Sequence, residues 1–163
     1  MPLVRRARPE DALGIHETHM RSIREVCSKD HSPDEIRAWG HRPYRETQRL
    51  DAIKNQFVWV AEDNGIIVGY GHLGFQESTE GKSGYIYGLY LASGVIRQGL
   101  GRQILALMIA ECREQGVEGV ALHSTLTALH FYRQLGFLDT GIQTAIEIGG
   151  VPIRCIPMEL RLA

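Results

Sequence analysis

The spacing of apolar residues along this chain changes several times, and each change marks a new element. A short apolar and basic run at residues 3–7 predicts a first strand. Ala12, Ile15, His19, Ile23 and Val26 then recur three to four positions apart, which predicts an amphipathic helix behind the start signal Pro9-Glu10-Asp11. A second start, Ser32-Pro33-Asp34-Glu35, sets a capping serine ahead of a proline suited to the first helical position; Ile36 and Trp39 follow, and Gly40 and Pro43 interrupt. Phe57, Val58, Trp59, Val60 and Ala61 are contiguous β-formers. They form a strand that Asp63-Asn64-Gly65 folds back into residues 66–70 as a tight hairpin.

Residues 78–84 are polar and glycine-bearing and read as a loop into the third strand of this meander, residues 85–91, which is rich in tyrosine and aliphatic residues. After the turn Ile96-Arg97-Gln98-Gly99-Leu100-Gly101-Arg102, helical spacing returns in Ile104, Leu105, Met108, Ile109 and Cys112. Residues 117–122 predict another strand, Thr125 a cap for a short helix holding Leu129 and Tyr132, and Gly136 its end. From Phe137 the chain is extended again. Ile146-Glu147-Ile148-Gly149-Gly150-Val151 predicts a two-residue hairpin, and Pro152 and Pro157 put the last strand near a sheet edge. The order of elements predicts a mixed α/β sheet with helices on both faces, without the regular strand-helix alternation of a doubly wound fold.

Composition narrows the function. With 163 residues, 44% hydrophobic and 23% charged, the chain suits one domain over residues 1–163. A net charge of −1 and no long basic run leave nothing to draw it to nucleic acid or an anionic membrane, so a small-molecule partner is expected. Cys27, Cys112 and Cys155 are too few and too scattered for a disulfide framework or a metal site, and read as reduced, buried thiols. No apolar run approaches the roughly 18 residues of a membrane span, and no apolar leader segment follows the first residues, so a cytoplasmic location is expected.

The turn at residues 96–102 carries the first candidate chemistry. A strand feeds a helix there through two glycines and two arginines. The first amides of a helix have no internal partners and its dipole is positive at that end, so an anion is favoured. Gly99 and Gly101 let a ligand approach the amides of Gln98, Leu100 and Arg102, while Arg97 and Arg102 add charge. The alternative is that the glycines serve close packing.

On two segments, the chain resembles the GCN5-related N-acetyltransferase (GNAT) family over nearly its whole length. The first runs from Leu89-Tyr90-Leu91 through Gly99-Leu100-Gly101-Arg102. The second, more specific, is Ser124-Thr125-Leu126-Thr127-Ala128-Leu129-His130-Phe131-Tyr132-Arg133-Gln134-Leu135-Gly136-Phe137. The resemblance implies an acyl-CoA N-acyltransferase fold, with a mostly antiparallel central sheet, and acetyl-CoA as cosubstrate. It implies that the strand of Leu89, Tyr90 and Leu91 bulges and splays from the strand at 117–122, that pantetheine lies in the gap, and that pyrophosphate sits on the amides of Gln98 to Arg102. The sequence departs from the family at Ile96, where glutamine or arginine is usual, and near Thr125 or Thr127, where family members often carry an asparagine whose hydrogen bonding either threonine could replace in part.

In the reaction the resemblance implies, an amine attacks the thioester and the sulfur departs. Tyr132, placed by the resemblance beside that sulfur, is the candidate acid; the bland reading is a tyrosine packed on the core. Many relatives carry a glutamate on the strand before the glycine turn, but Tyr85, Tyr87 and Tyr90 stand there and no acid does. His72 on the neighbouring strand is the candidate base, acting through water, with Glu77 further along, and the alternative for His72 is a structural histidine. Tyr85 and Tyr87 either line the acceptor cleft or pack the sheet; Phe131 and Phe137 read as core. The acceptor side draws on the two N-terminal helices and the last hairpin, with Glu25, His31, Trp39, Arg42 and Tyr44. The expected acceptor is a primary amine of a small molecule or peptide; a non-catalytic acyl-CoA sensor or scaffold is the alternative, and pairing of the last strand is a route to a homodimer.

Overall fold

The computed structural model describes residues 1–162. Its strands are β1 (Leu3–Arg6), β2 (Phe57–Asp63), β3 (Ile66–Ser78), β4 (Gly81–Leu91), β5 (Gly119–Ser124), β6 (Leu138–Asp139), β7 (Thr144–Ile148) and β8 (Val151–Arg161). Its α-helices are α1 (Ala12–Glu25), α2 (Pro33–Trp39), α3 (Glu46–Asn55), α4 (Leu100–Glu114) and α5 (Leu129–Gln134). The sheet runs β1-β2-β3-β4-β5-β8-β6, with β7 also on β8; β4 and β5 are parallel and every other pair is antiparallel. This is the mixed, mostly antiparallel sheet the sequence predicts. No helix among the described residues is long and apolar enough to cross a membrane.

One face is closed by α4, whose Ile104, Leu105 and Met108 are fully buried with Leu73, Ile86 and Val120 of the strands. Ile104 and Met108 close on β3 at Gly71, where a Cβ would stand 2.4 Å from Ile104. The other face is covered by α1 to α3: Ile15 joins Val58, Val60 and Tyr70, while Met20, Ile23, Cys27 and Trp39 meet Ile153 of β8. α2 starts as expected, with Ser32 Oγ accepting from the Glu35 amide and the Glu35 carboxylate accepting from the Ser32 amide. All three cysteines are free and buried.

Three expectations are corrected. α3 occupies a stretch read only as an interruption; none of its residues is buried, so no apolar stripe advertises it. Residues 78–84 are not a loop: β3 and β4 pair out to Ser78↔Gly81 around a two-residue turn, and the polar residues are those of an exposed hairpin tip. The last strand is internal, between β5 and the β6–β7 pair. Pro157 is tolerated there because it falls in the break where β6 has ended at Met158 and β7 begins at Cys155, and its carbonyl still accepts from Thr140.

Candidate active site

The parallel pair is short. β5 runs beside β4 only over Gly84↔Val120, Tyr85↔Ala121 and Ile86↔Leu122. Immediately beyond, β4 bulges: Ile86 opposes Leu73 and Gly88 opposes His72, so Tyr87 is one residue too many. Tyr87 and Gly88 therefore fall on the same face, that of α1, where a Cβ on Gly74 would touch Tyr87 and one on Gly88 would lie 3.0 Å from the Tyr70 hydroxyl. Leu89, Tyr90 and Leu91 stay paired to β3, but their edge toward β5 has no strand partner. Leu89 and Leu91 pack with α4, whereas the Tyr90 ring lies on the opposite face, 5.9 Å from the Tyr70 ring and 4.3 Å from His19.

Below this opening sits the glycine turn. Arg97 (φ 68°) and Gly99 (φ 84°) are both left-handed, and Arg97 is one of two non-glycine residues with positive φ among those described. The turn delivers α4 with Gly99 as its N-cap, no side-chain cap and no acid in the first turn, so the leading amides are open. Around Gly99 there is clear space, since a Cβ would meet nothing within 4 Å. Gly101 differs: its missing side chain admits the Phe131 ring, 3.3 Å from an ideal Cβ, so this glycine serves the contact between α4 and α5. Leu100 is core; Arg97, Gln98 and Arg102 are exposed, as an anion-binding rim requires.

Tyr132, 5% exposed, packs among Phe131, Phe137 and the α4 core. Burial, with Tyr70 adding to it, pushes the phenol well above its ordinary range, which keeps it protonated. Of the two threonines, Thr125 Oγ1 accepts from the Ala128 amide and so holds the turn before α5, whose N-cap is Ala128 and not the expected Thr125; Thr127 Oγ1 is buried by the Cys27 thiol, with no hydrogen-bond partner among the described residues.

His72 lies on the α1 face of β3. Its Nε2 meets Gln56 Oε1 at 2.5 Å and its ring stacks on Tyr87 at 4.7 Å. Burial first, then the charge of Arg49, lower its pKa to about 4, so it is neutral at pH 7. It helps to bound an open cleft of about 750 Å³, with Gln48, Asp51, Ala52, Phe75 and Glu77. A void of about 10 Å³ shares His72 and Ala52 with that cleft and is bounded in addition by Arg49, Ile15 and Tyr70. Tyr85 shares the face, its hydroxyl against His123 Nδ1 and its ring 4.9 Å from Tyr87; the two tyrosines pack on each other and on the histidines of the sheet and do not bound the cleft.

Sequence reasoning named Arg42 and His31 on the acceptor side but missed the two groups to which they belong. The first joins α1 to the segment before β2: Arg49 Nη2 is 3.0 Å from His19 Nδ1 and 3.4 Å from His16 Nδ1, and Arg42 Nε donates to the carbonyl of Trp39, whose ring lies 6.4 Å from the Tyr90 ring. The usable signal was two histidines in the same stripe as Ile15 and Ile23. The second is a buried hub. Glu35, 3% exposed, accepts from the Arg154 amide and guanidinium and faces His31 Nδ1, while His31 Nε2 accepts from the Leu126 amide. Burial alone would raise the Glu35 pKa, yet Arg154, the Ser32 amide and His31 hold it far below the carboxylate range. The hub fastens the β5–α5 turn to α2 and β8. Glu25, by contrast, is engaged at the surface with Arg21 and Ser93.

Residues 27–162 match the model of the acetyltransferase (GNAT) domain. The chain is 28% identical over 107 residues to an uncharacterized N-acetyltransferase, YuaI, of Bacillus subtilis, covering 65% of this chain and 61% of that protein. It is 32% identical over 88 residues to the L-amino acid N-acyltransferase MnaT of Escherichia coli, covering 51% of each. The match thus spans between half and about three fifths of these relatives. Among solved structures, PaiA N-acetyltransferase from Thermoplasma acidophilum in complex with coenzyme A has a TM-score of 0.78 at 16% identity, covering 99% of both chains.

Proposed function

Because the chain belongs to the GNAT acetyltransferase family, we propose that it transfers an acetyl group from acetyl-CoA to a primary amine by direct attack. The observation that carries this reading is the opening where β4 leaves β5 at Ile86↔Leu122, with the uncapped start of α4 following β4. Acetyl-CoA supplies the thioester. The Gln98–Arg102 turn, with Arg97 and Arg102 on its rim, suits the pyrophosphate; Leu89, Tyr90 and Leu91 offer an unpaired backbone edge, and Thr127 a free hydroxyl, to the pantetheine. Thr125 acts through the turn it holds.

Tyr132, held protonated, donates to the sulfur as the C–S bond breaks. Burial makes it a weaker acid than the free thiol of about 8.5, so its contribution is a hydrogen bond to developing thiolate more than full transfer. With Gln56 accepting from Nε2, His72 has Nδ1 available for the proton of the attacking nitrogen, through water. At a pKa of about 4 it takes that proton only once attack has acidified the nitrogen.

The test is calorimetric titration with acetyl-CoA paired with thiol release over an amine panel. Binding with release above the buffer rate is expected. Binding without release would make this an acyl-CoA sensor or scaffold, and no binding would end the reading.

A further inference from the structure

We propose that the acceptor amine carries a carboxylate within a few bonds of its nitrogen, and that Arg49 and Arg42 hold this carboxylate beneath α1 while the amine faces the bulge of β4. The inference rests on the acetyl-transfer reading and names the acceptor for that site.

The argument starts from charge. Partly covered arginines elsewhere have acids: Arg5 has Asp11 and Glu62, and Arg154 has Glu35. Arg42 and Arg49 have no ion pair among the described residues, although Arg42 is covered enough for burial to lower its pKa. Their neighbours cannot neutralise them. Burial and then Arg49 depress His16 and His19, which are therefore neutral, and burial raises the phenols of Tyr70 and Tyr90. The acid felt here, Glu17, acts on His16. Covered guanidinium groups without a counter-ion are costly, and a bound anion removes the cost.

An independent observation points the same way. Nδ1 of His19 receives Arg49, which puts the ring hydrogen on Nε2. That Nε2 is buried and has no hydrogen-bond partner among the described residues. A buried N–H donor on the far side of the ring from Arg49 asks for an acceptor of its own, and an oxygen of the bound acceptor molecule meets it.

Position supplies the link to chemistry. The Arg49 guanidinium lies 5.8 Å from the centroid of the Tyr70 ring, whose hydroxyl is 3.0 Å from where a Gly88 side chain would begin. Anion and bulge are therefore separated by about one aromatic ring, which suits a molecule of amino-acid size. Entry is through the cleft that His72 helps to bound, where Asp51 and Glu77 attract the ammonium end.

The test compares amino carboxylates with their primary amides, decarboxylated amines and aminophosphonates, by CoA release and by thermal shift of CoA-saturated protein. Carboxylates are expected to exceed amides about 100-fold in kcat/KM. Arg49→Gln is expected to remove that gap by raising KM for carboxylates with kcat little changed, and to abolish their thermal upshift. Arg42→Gln is the second variant if Arg49→Gln does not fold, and the substrate comparison needs neither. Amides or decarboxylated amines equal to carboxylates, a preference for phosphonates, or CoA binding with neither turnover nor a carboxylate-dependent upshift would each overturn the inference and leave acetyl-CoA binding intact. Absence of CoA binding would instead overturn the reading beneath it.

Discussion

Tyr132→Phe separates chemistry from structure unusually well in this molecule. The side chain is 5% exposed and its ring packs on Phe131 and Phe137, contacts that phenylalanine keeps. Its hydroxyl makes no hydrogen bond to the described protein groups, so its removal orphans nothing, and stability should change by less than about 1 kcal/mol. Acetyl-CoA affinity should hold within about threefold, because the proposed bond strengthens only as charge gathers on sulfur. A hydrogen bond to a charged group contributes about 1.5–3 kcal/mol, which converts to a fall in kcat of about 10- to 150-fold. Burial has raised this phenol above the thiol it would protonate, so the effect belongs at the modest end of acid catalysis. Steady-state thiol release, calorimetry and thermal melts on both proteins give the three numbers. A kcat within twofold of the parent, or a loss carried mainly by weaker cofactor binding, refutes the acid role.

Gly99→Val meets no steric obstacle but must hold φ near 84°, costing about 1–2 kcal/mol, and should weaken acetyl-CoA binding at least tenfold while the domain still melts cooperatively; unchanged affinity would remove the pyrophosphate from this turn. Glu35→Gln uncouples the hub and should lower stability by about 2–4 kcal/mol in denaturant unfolding, an effect that a melt indistinguishable from the parent would contradict. Stability should fall from about pH 6.5 downward, because unfolded histidines gain protons that His16, His19 and His72, all depressed when folded, refuse; His72 completes its part near pH 4. Below the ordinary carboxylate range Glu35 and Asp11, also depressed, extend the loss. Melting temperatures that stay flat between pH 7 and 4.5 would contradict those histidine environments.

What could be read ahead of the structure was local. The Ser32–Glu35 capping box, the Asn64-Gly65 turn and the glycine turn after Ile96 each declare themselves within a few residues, and each is found. α3 did not, since an exposed helix has no stripe to read, and Pro157 misled because the gap that accommodates it is made by β6 and β7. The cofactor side was legible because one turn supplies most of it. The acceptor side was not: His19, Arg42, Arg49, Tyr70 and Tyr90 come from five separate segments and meet only through packing of α1 and the segment before β2 on the sheet. Gly101 shows the limit of motif reading, since one glycine of the pair is open to solvent and the other is filled by Phe131.

The extra residue in β4 also governs how this segment tolerates changes in length. Because Tyr87 and Gly88 share a face, losing Tyr87 would return the strand to simple alternation, with Ile86, Leu89 and Leu91 still directed at α4 and Leu73 and His72 opposed without interruption. Such a shortened chain would keep its buried pattern, fold, and run straight on beside β5. A single in-frame codon deletion would therefore produce a sound scaffold with its entrance zipped shut, an outcome that a search for misfolded variants would never flag.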